Sequence, residues 1–208
     1  IDLPNNASFN LKHNLKQNVQ EKSLRPEKVL SVRVNSKEQA LLALSFQPKR
    51  IYLSAEPFAP EKPLSLLDLS KLKDTCNRNQ CELYLALPRM MDDKQNDLFS
   101  AFFRKKPSID GVLITHSGAF RILENEHCPI VCDTAMNLYN AEAVRFYSRF
   151  NIQGWTPSLE LPYKSLLSLP KSVKLSGCNA EGEIVLHGLP TLMYMDHDIS
   201  DEKADTAE

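Results

Sequence analysis

Three side chains capable of acid–base chemistry stand at or just beyond the ends of short apolar runs: Asp133, Glu160 and His187. Two carboxylates can divide the roles of general acid and general base, and histidine titrates near neutral pH, so the set would suit hydrolysis. A structural interpretation is equally simple. Asp133 would cap a turn, Glu160 would pair with a nearby base, and His187 would form a hydrogen bond at a strand end. The residue types leave both interpretations open.

Four further residues are candidates for binding. Arg89 follows a proline at a predicted strand end. There its guanidinium could bind an anion or pair with a carboxylate at the same end of the sheet. Asn137 and Asn140 are candidate ligands, although asparagine is also typical of turns and helix caps. Ser158, which lies between Asp133 and Glu160 in the sequence, is the fourth candidate. No G-x-S-x-G motif surrounds it, so serine hydrolysis has little support.

The five cysteines do not form a recognisable metal motif. On a strand, Cys128 and Cys132 would be separated by about 13 Å, too far for one ion or a disulfide, and packed thiols are the expected state. Cys76 and Cys81 flank a polar loop without histidine neighbours. An odd number of cysteines in a chain of this size favours reduced thiols and a cytoplasmic protein.

The elements that must position these residues alternate between strands and helices. The stretch from Pro129 to Leu161 predicts one β-α-β unit, with polar residues after both strands. The same alternation predicts strands at Val29–Val34, Ile51–Leu53, Leu83–Leu87, Val112–Ile114, Ile130–Cys132, Gln153–Trp155 and Ile184–Leu186. Parallel strands bring their carboxyl ends to one rim, so we expect Asp133, Glu160 and His187 to converge there.

Two architectures fit this alternation: a TIM-like (β/α) barrel and an open doubly wound sheet. No G-x-G-x-x-G turn follows the first strand and no P-loop lysine motif occurs, which favours the barrel. We expect it to be incomplete or distorted near 173–181, where an extra strand or hairpin would fit, and a short helical turn is predicted at 161–169.

The domain organisation follows from composition. Residues 1–28 are polar and predict a linker or extended arm from a preceding domain, 29–199 form the barrel domain, and 200–208 predict an acidic disordered tail. The chain starts at Ile1 and has no methionine before Met90, which indicates a piece of a longer polypeptide. A net charge of −1 gives no sign of a strongly basic surface, and no apolar window reaches membrane-spanning length.

Several motifs together resemble the peptidase U32 family, also called collagenase-like proteases. Their order and spacing agree from about Val29 to Met195, and the matching segments are LPR (87–89), DGVLITHSGAF (110–120), CDTAMNLYNAEAVRFY (132–147), TPSLEL (156–161) and EIVLHGLPTLM (183–193). More narrowly, the chain is similar to the C-terminal barrel-like region of long family members.

The resemblance implies a protease label or, for some members, iron–sulfur-dependent hydroxylation of RNA bases or of a quinone precursor. Thr191 and Asp198 stand where cluster-binding members carry cysteines, so no cluster is expected in this chain, although one can lie elsewhere in the full-length protein. The expected function is an accessory or substrate-binding half, with preceding domains of the same polypeptide and a peptide or RNA as partners. A stand-alone hydrolase using Asp133, Glu160 and His187 and a structural or oligomerisation module are the alternatives.

Overall fold

The computed structural model of the chain describes residues 29–56 and 65–189. The predicted arm at 1–28 and acidic tail at 200–208 lie outside these residues, as do Thr191 and Asp198.

In the described part of the chain, seven parallel strands form one curled sheet in which every neighbour in space is also the neighbour in sequence. Each strand is short and apolar on the face covered by helices, as expected for a sheet of crossover units. The strands are β1 (Ser31–Val34), β2 (Arg50–Ser54), β3 (Glu82–Ala86), β4 (Gly111–Ile114), β5 (Ile130–Cys132), β6 (Ile152–Trp155) and β7 (Glu181–Gly182). The predicted incomplete α/β barrel is confirmed.

Between these strands the described residues form six helices, and local capping residues set where most of them begin. They are α1 (Lys37–Ala43), α2 (Leu66–Arg78), α3 (Asp93–Arg104), α4 (Ala119–Ile122), α5 (Ala141–Ser148) and α6 (Tyr163–Leu175). Ser36, Ser65, Asp92 and Asn140 each accept a hydrogen bond from a backbone N–H in the first turn of α1, α2, α3 and α5 respectively.

The helix α6 is longer than the sequence predicts. A short turn over 161–169 was expected to end before Pro170, but the helix continues through that proline to Leu175. Proline removes one backbone donor from a helix, yet Leu169 and Val173 are both buried in the core on either side of it. Burial of these side chains offsets the lost hydrogen bond, so 173–181 contains a helix end and a loop into β7 rather than an extra strand.

The barrel has an outer apolar layer beneath the helices and a smaller inner layer. The inner layer contains Tyr52, Tyr84, Ala86, Leu113 and Val131, which are all buried and in mutual contact. These residues lie on alternate positions of β2 to β5, as side chains pointing to one face of a strand must. Because Arg50 and Glu82 precede Tyr52 and Tyr84 by two positions, they also belong to the inner face.

The last predicted strand is displaced. A strand was expected at Ile184–Leu186, but β7 ends at Gly182, and only the N–H of Glu183 continues the ladder by donating to the carbonyl of Trp155 at 2.9 Å. The side chains of Ile184, Val185 and Leu186 are 53%, 52% and 83% exposed. The apolar pattern of this segment predicts burial, and no described element covers it.

A side chain links the two ends of the sheet. The hydroxyl of Ser31, the first residue of β1, donates to Oε1 of Glu183, just after β7, at 2.9 Å. An eight-stranded barrel would place one more strand between these elements. In this chain the carboxylate of Glu183 spans part of that gap, so the half-barrel is held at this point by side-chain contacts.

Candidate functional site

Asp133 lies at the carboxyl end of β5 and holds two elements together. Its Oδ2 forms an ion pair with Nη1 of Arg33 on β1 at 2.8 Å, and its Oδ1 accepts from the N–H of Thr134 at 2.7 Å. The second contact caps a short 3₁₀ turn at Thr134–Met136. The carboxylate is 9% exposed, so each oxygen already has a partner in a largely buried position. Proton transfer by Asp133 would require the ion pair with Arg33 to open.

Glu160 lies on the loop after β6 and contacts Tyr139 rather than the base that the sequence suggested. The hydroxyl of Tyr139 donates to Oε2 of Glu160 at 2.7 Å, and this hydrogen bond raises the pKa of Tyr139. Ser158 is buried, and its N–H donates to the carbonyl of Leu138 at 3.2 Å. The loops after β5 and β6 therefore pack together, which places Asp133 and Glu160 on adjoining loops.

His187 is exposed and lies five positions beyond the end of β7, so it does not end a strand as predicted. Within residues 29–56 and 65–189 it makes no hydrogen bond or ion pair. No such bond joins Asp133, Glu160 and His187 to one another among these residues either. Their convergence into one catalytic site remains a prediction.

The other predicted binding residues have identifiable local roles. Asn137 ends the 3₁₀ turn in the left-handed region, with φ 58°, a conformation that asparagine tolerates better than most residues. Asn140 caps α5 by accepting from the N–H of Ala143 at 2.9 Å. The N–H of Arg89 donates to Oε1 of Glu56 at 2.9 Å, which connects the loops after β3 and β2. These contacts shape the rim of the barrel.

A polar cluster inside the barrel was missed by the sequence analysis. We call it the Arg50 cluster, and it contains Arg50, Tyr52, Glu82, Tyr84 and Glu183. Nη2 of Arg50 lies 2.8 Å from Glu82, and Nη1 lies 2.9 Å from Glu183. The hydroxyl of Tyr52 donates to Glu183 at 2.7 Å, and the guanidinium carbon of Arg50 lies 4.4 Å from the ring centre of Tyr84.

The electrostatics of this cluster keep its phenols protonated. Burial, together with the negative charge of Glu183, raises the pKa of Tyr52 well above the usual tyrosine value. Burial raises the pKa of Tyr84 to about 12, against the opposing effect of Arg50. The Arg50 side chain is only 7% exposed, so its paired carboxylates are needed to stabilise the charge. The sequence did contain a sign of this cluster. Polar residues alternate on two otherwise apolar strands, Arg50 and Tyr52 on β2 and Glu82 and Tyr84 on β3.

The Arg50 cluster borders a cavity of about 610 Å³ at the amino end of the strands. Arg50, Glu82 and Tyr84 line it on one side, and residues 177–181 line it on another. Lys49 and Glu181 form a more exposed pair at its edge, with Nζ and Oε2 3.5 Å apart. Its lining carries charges of both signs, so it does not indicate one class of ligand.

His116 follows β4 and was not singled out from the sequence. Its Nε2 is buried without a hydrogen-bond partner among the residues that the structure describes, and burial lowers the pKa of the imidazole, which favours the neutral form. Its neighbour Thr115 donates to the carbonyl of Pro88 at 2.7 Å, which fixes the backbone there. A neutral histidine with an unused nitrogen is a candidate acceptor or donor at this end of the sheet.

The cysteines of the described residues pack in two separate parts of the core. Within the described ranges, no group of three or more His, Cys, Asp or Glu side chains could hold a metal ion. Cys132 packs in the core around β4 and β5, whereas Cys76 and Cys81 pack in a second core near β2 and β3. The absence of a cluster stays a prediction, because Thr191 and Asp198 lie outside the described residues.

No helix among the described residues is long and apolar enough to cross a membrane.

Comparison with known proteins shows what this chain is similar to. The family model for peptidase family U32 matches residues 35–197. The solved structure of the U32 peptidase Mk0906 superposes with a TM-score of 0.58 at 9% identity, covering 76% of this chain and 69% of that one. D-psicose 3-epimerase from Clostridium cellulolyticum H10 gives a TM-score of 0.46 at 8% identity, covering 76% of this chain and 84% of that one. No curated protein matches.

Proposed function

The chain belongs to peptidase family U32, and on that premise we propose that it is an accessory, substrate-binding half of a larger protein and has no complete catalytic centre of its own. Protein hydrolysis and RNA-base hydroxylation are the activities that this half would support. We further propose a cytoplasmic location, since all five cysteines are free thiols, which is typical of a reducing compartment.

The observation that carries this proposal is the ion pair between Arg33 and Asp133. A general base needs a carboxylate that reaches the substrate proton, but both oxygens of Asp133 are already bonded within the protein. The pair joins β1 to the end of β5, so it contributes to the shape of the rim. A structural role for Asp133 explains its burial and both of its contacts.

Glu160 and His187 support a role in binding. Both are exposed, and Glu160 is oriented by the phenol of Tyr139, so its second oxygen remains available to a ligand. His187 makes no contact among the described residues that would hold it as a general base, whereas a catalytic histidine is usually oriented by a second group. Exposed polar side chains at loop tips are suited to contacting a macromolecule.

The test is a kinetic comparison in the full-length protein, with gelatin hydrolysis and mass spectrometry of modified RNA nucleosides as the two readouts. For Glu160→Gln and His187→Ala we expect KM to rise severalfold while kcat stays close to the unmodified value. A substitution that removes uniform binding has this effect, because it weakens the binding of the ground state and of the transition state equally. Glu142→Gln, an exposed carboxylate on α5, is the matched control.

Each result distinguishes one function from the others. A fall of about 10²-fold or more in the kcat of gelatin hydrolysis, in variants with unchanged circular dichroism, would favour a hydrolase that uses these residues. Unchanged kcat and KM in both variants would leave a structural or oligomerisation module. The readout that responds, peptide or RNA, identifies the substrate class.

A further inference from the structure

We propose that Cys76 and Cys81 form a redox-active dithiol, which a hydroperoxide oxidises to a disulfide that ties the end of α2 to the start of β3. This modification site is separate from the rim residues and from the Arg50 cluster.

The turn after α2 brings the two cysteines together. The N–H of Cys81 donates to the carbonyl of Cys76 at 2.9 Å, and the N–H of Gln80 donates to the carbonyl of Asn77 at 3.0 Å. Gln80 has a φ of 55°. These features define a Schellman motif, in which the side chains at the positions of Cys76 and Cys81 contact each other across the turn. Here both positions of that contact are cysteines, and both pack in one apolar core.

The two thiols are buried, but the turn that joins them lies at the surface. Cys76 and Cys81 are 0% and 3% exposed and pack in the same apolar core as Leu72 and Leu83. The turn residues between them, 77–80, are all exposed. Opening this one turn at a helix end would admit a small oxidant without unfolding the sheet, because helix ends open at low cost.

The two thiols are chemically unequal. Interaction with the Cys81 side chain lowers the pKa of Cys76, whereas interaction with Cys76, together with burial, raises the pKa of Cys81. The Cys81 thiol itself donates to the carbonyl of Glu82 at 3.5 Å. The ammonium of Lys73 also favours the thiolate of Cys76, whereas burial and the carboxylate of Asp110, 2.6 Å from Nζ of Lys73, oppose it. Cys76 is therefore the thiol that reacts first, since the thiolate is the nucleophile.

The reaction balances with the hydroperoxide as the sole oxidant. The thiolate of Cys76 attacks the terminal peroxide oxygen, the O–O bond breaks, and the leaving alkoxide or hydroxide takes a proton, which gives a sulfenic acid. The sulfur of Cys81 then attacks the sulfenic sulfur, the S–O bond breaks, and the hydroxide leaves with the thiol proton as water. Two thiols lose two electrons in total, and the peroxide gains them.

Cys132 provides a matched control for this chemistry. It is 0% exposed, like Cys76, but burial and the charge of Asp133 raise its pKa to about 12, with no contribution from another thiol. Its thiol should stay reduced under conditions that oxidise the dithiol, because a protonated and unpartnered thiol reacts slowly.

The experiment treats the folded chain with hydrogen peroxide, blocks the remaining thiols with N-ethylmaleimide after unfolding, and maps tryptic peptides by mass spectrometry. Trypsin cleaves after Arg78, between the cysteines, so the disulfide joins the peptides 74–78 and 79–89. We expect this linked pair in the native chain and in Cys132→Ser. In Cys81→Ser we expect its loss and a sulfenic acid on Cys76 that dimedone traps.

Two results would overturn the proposal. One is full alkylation of Cys76 and Cys81 after peroxide treatment, to the same extent as Cys132. The other is an unlinked sulfenic acid at Cys76 in the native chain that persists with Cys81 present. Circular dichroism of Cys81→Ser before treatment establishes that the variant is folded.

Discussion

Arg33 and Asp133 are 100 positions apart in the sequence, yet Nη1 of one lies 2.8 Å from Oδ2 of the other. The pair connects the first strand to the end of the fifth, across the inner side of the curled sheet. The ion pair gives Asp133, a candidate catalytic residue in the sequence, a structural role at the rim of the barrel.

We predict that Arg33→Ala and Asp133→Ala each lower the free energy of unfolding by about 1–3 kcal/mol, because each leaves a charge without its partner. A double-mutant cycle measured by urea denaturation should give a coupling energy of about 0.5–3 kcal/mol. Arg145→Ala, which breaks an exposed pair with Glu142, should change stability by about 0.5 kcal/mol or less. Additive effects of Arg33→Ala and Asp133→Ala would show that the ion pair does not contribute.

Arg50→Met should be the more damaging of two neighbouring substitutions. It leaves the carboxylate of Glu183, only 20% exposed, without its ion pair inside the barrel, and we expect a loss of about 3–5 kcal/mol. Lys49→Met removes a more exposed pair with Glu181 and should cost about 1 kcal/mol or less. Thermal or urea unfolding of the two variants decides the matter, and similar losses would contradict a special role for the Arg50 cluster.

Alkaline pH should destabilise the fold through its buried tyrosines. The pKa of Tyr84 rises from 10.0 to about 12 on folding, so the folded state holds this proton more tightly than the unfolded state. Its contribution to stability is complete below pH 10 and is lost as the pH rises towards about 12, since the unfolded chain deprotonates first. The midpoint of urea unfolding should fall as the pH rises across this range, and it should fall less steeply in the Tyr84→Phe variant. An equal decline in Tyr84→Phe would exclude Tyr84 as a source.

Gly111→Ala should destabilise β4. A methyl group at this position would overlap the ring of Tyr84 and would lie 2.6 Å from the backbone oxygen of Pro129. We expect a cost of about 1–3 kcal/mol from overpacking. Gly118→Ala, whose methyl group would meet only the flexible side chain of His116 at 3.1 Å, is the control and should cost less. Thermal melts of the two variants measure the difference, and equal melting temperatures would show that the sheet adapts.

We also predict that this chain alone binds no iron–sulfur cluster. Anaerobic reconstitution followed by iron and sulfide analysis should give only background amounts. A stoichiometric cluster that disappears after Cys→Ser substitution would show that the prediction is wrong, and the substituted position would identify the ligand.

Local sequence patterns were enough to predict most of the secondary structure. The apolar runs of β2, β4 and β5 and the cap at Asn140 depend on neighbouring residues only, so their positions follow from spacing and residue type. The order of these elements was also enough to predict an α/β barrel, because strands that alternate with helices must be parallel.

The partners of the polar side chains were decided by the tertiary structure. Arg33 meets Asp133, and Ser31 and Arg50 meet Glu183, across separations of 100 to 152 positions that no local pattern specifies. The apolar segment at 184–186 resembles a strand locally, yet it has no partner strand among the described residues and remains outside the sheet. A strand exists only where a second strand supplies its hydrogen bonds, and a carboxylate takes its role from the charge that folding places beside it.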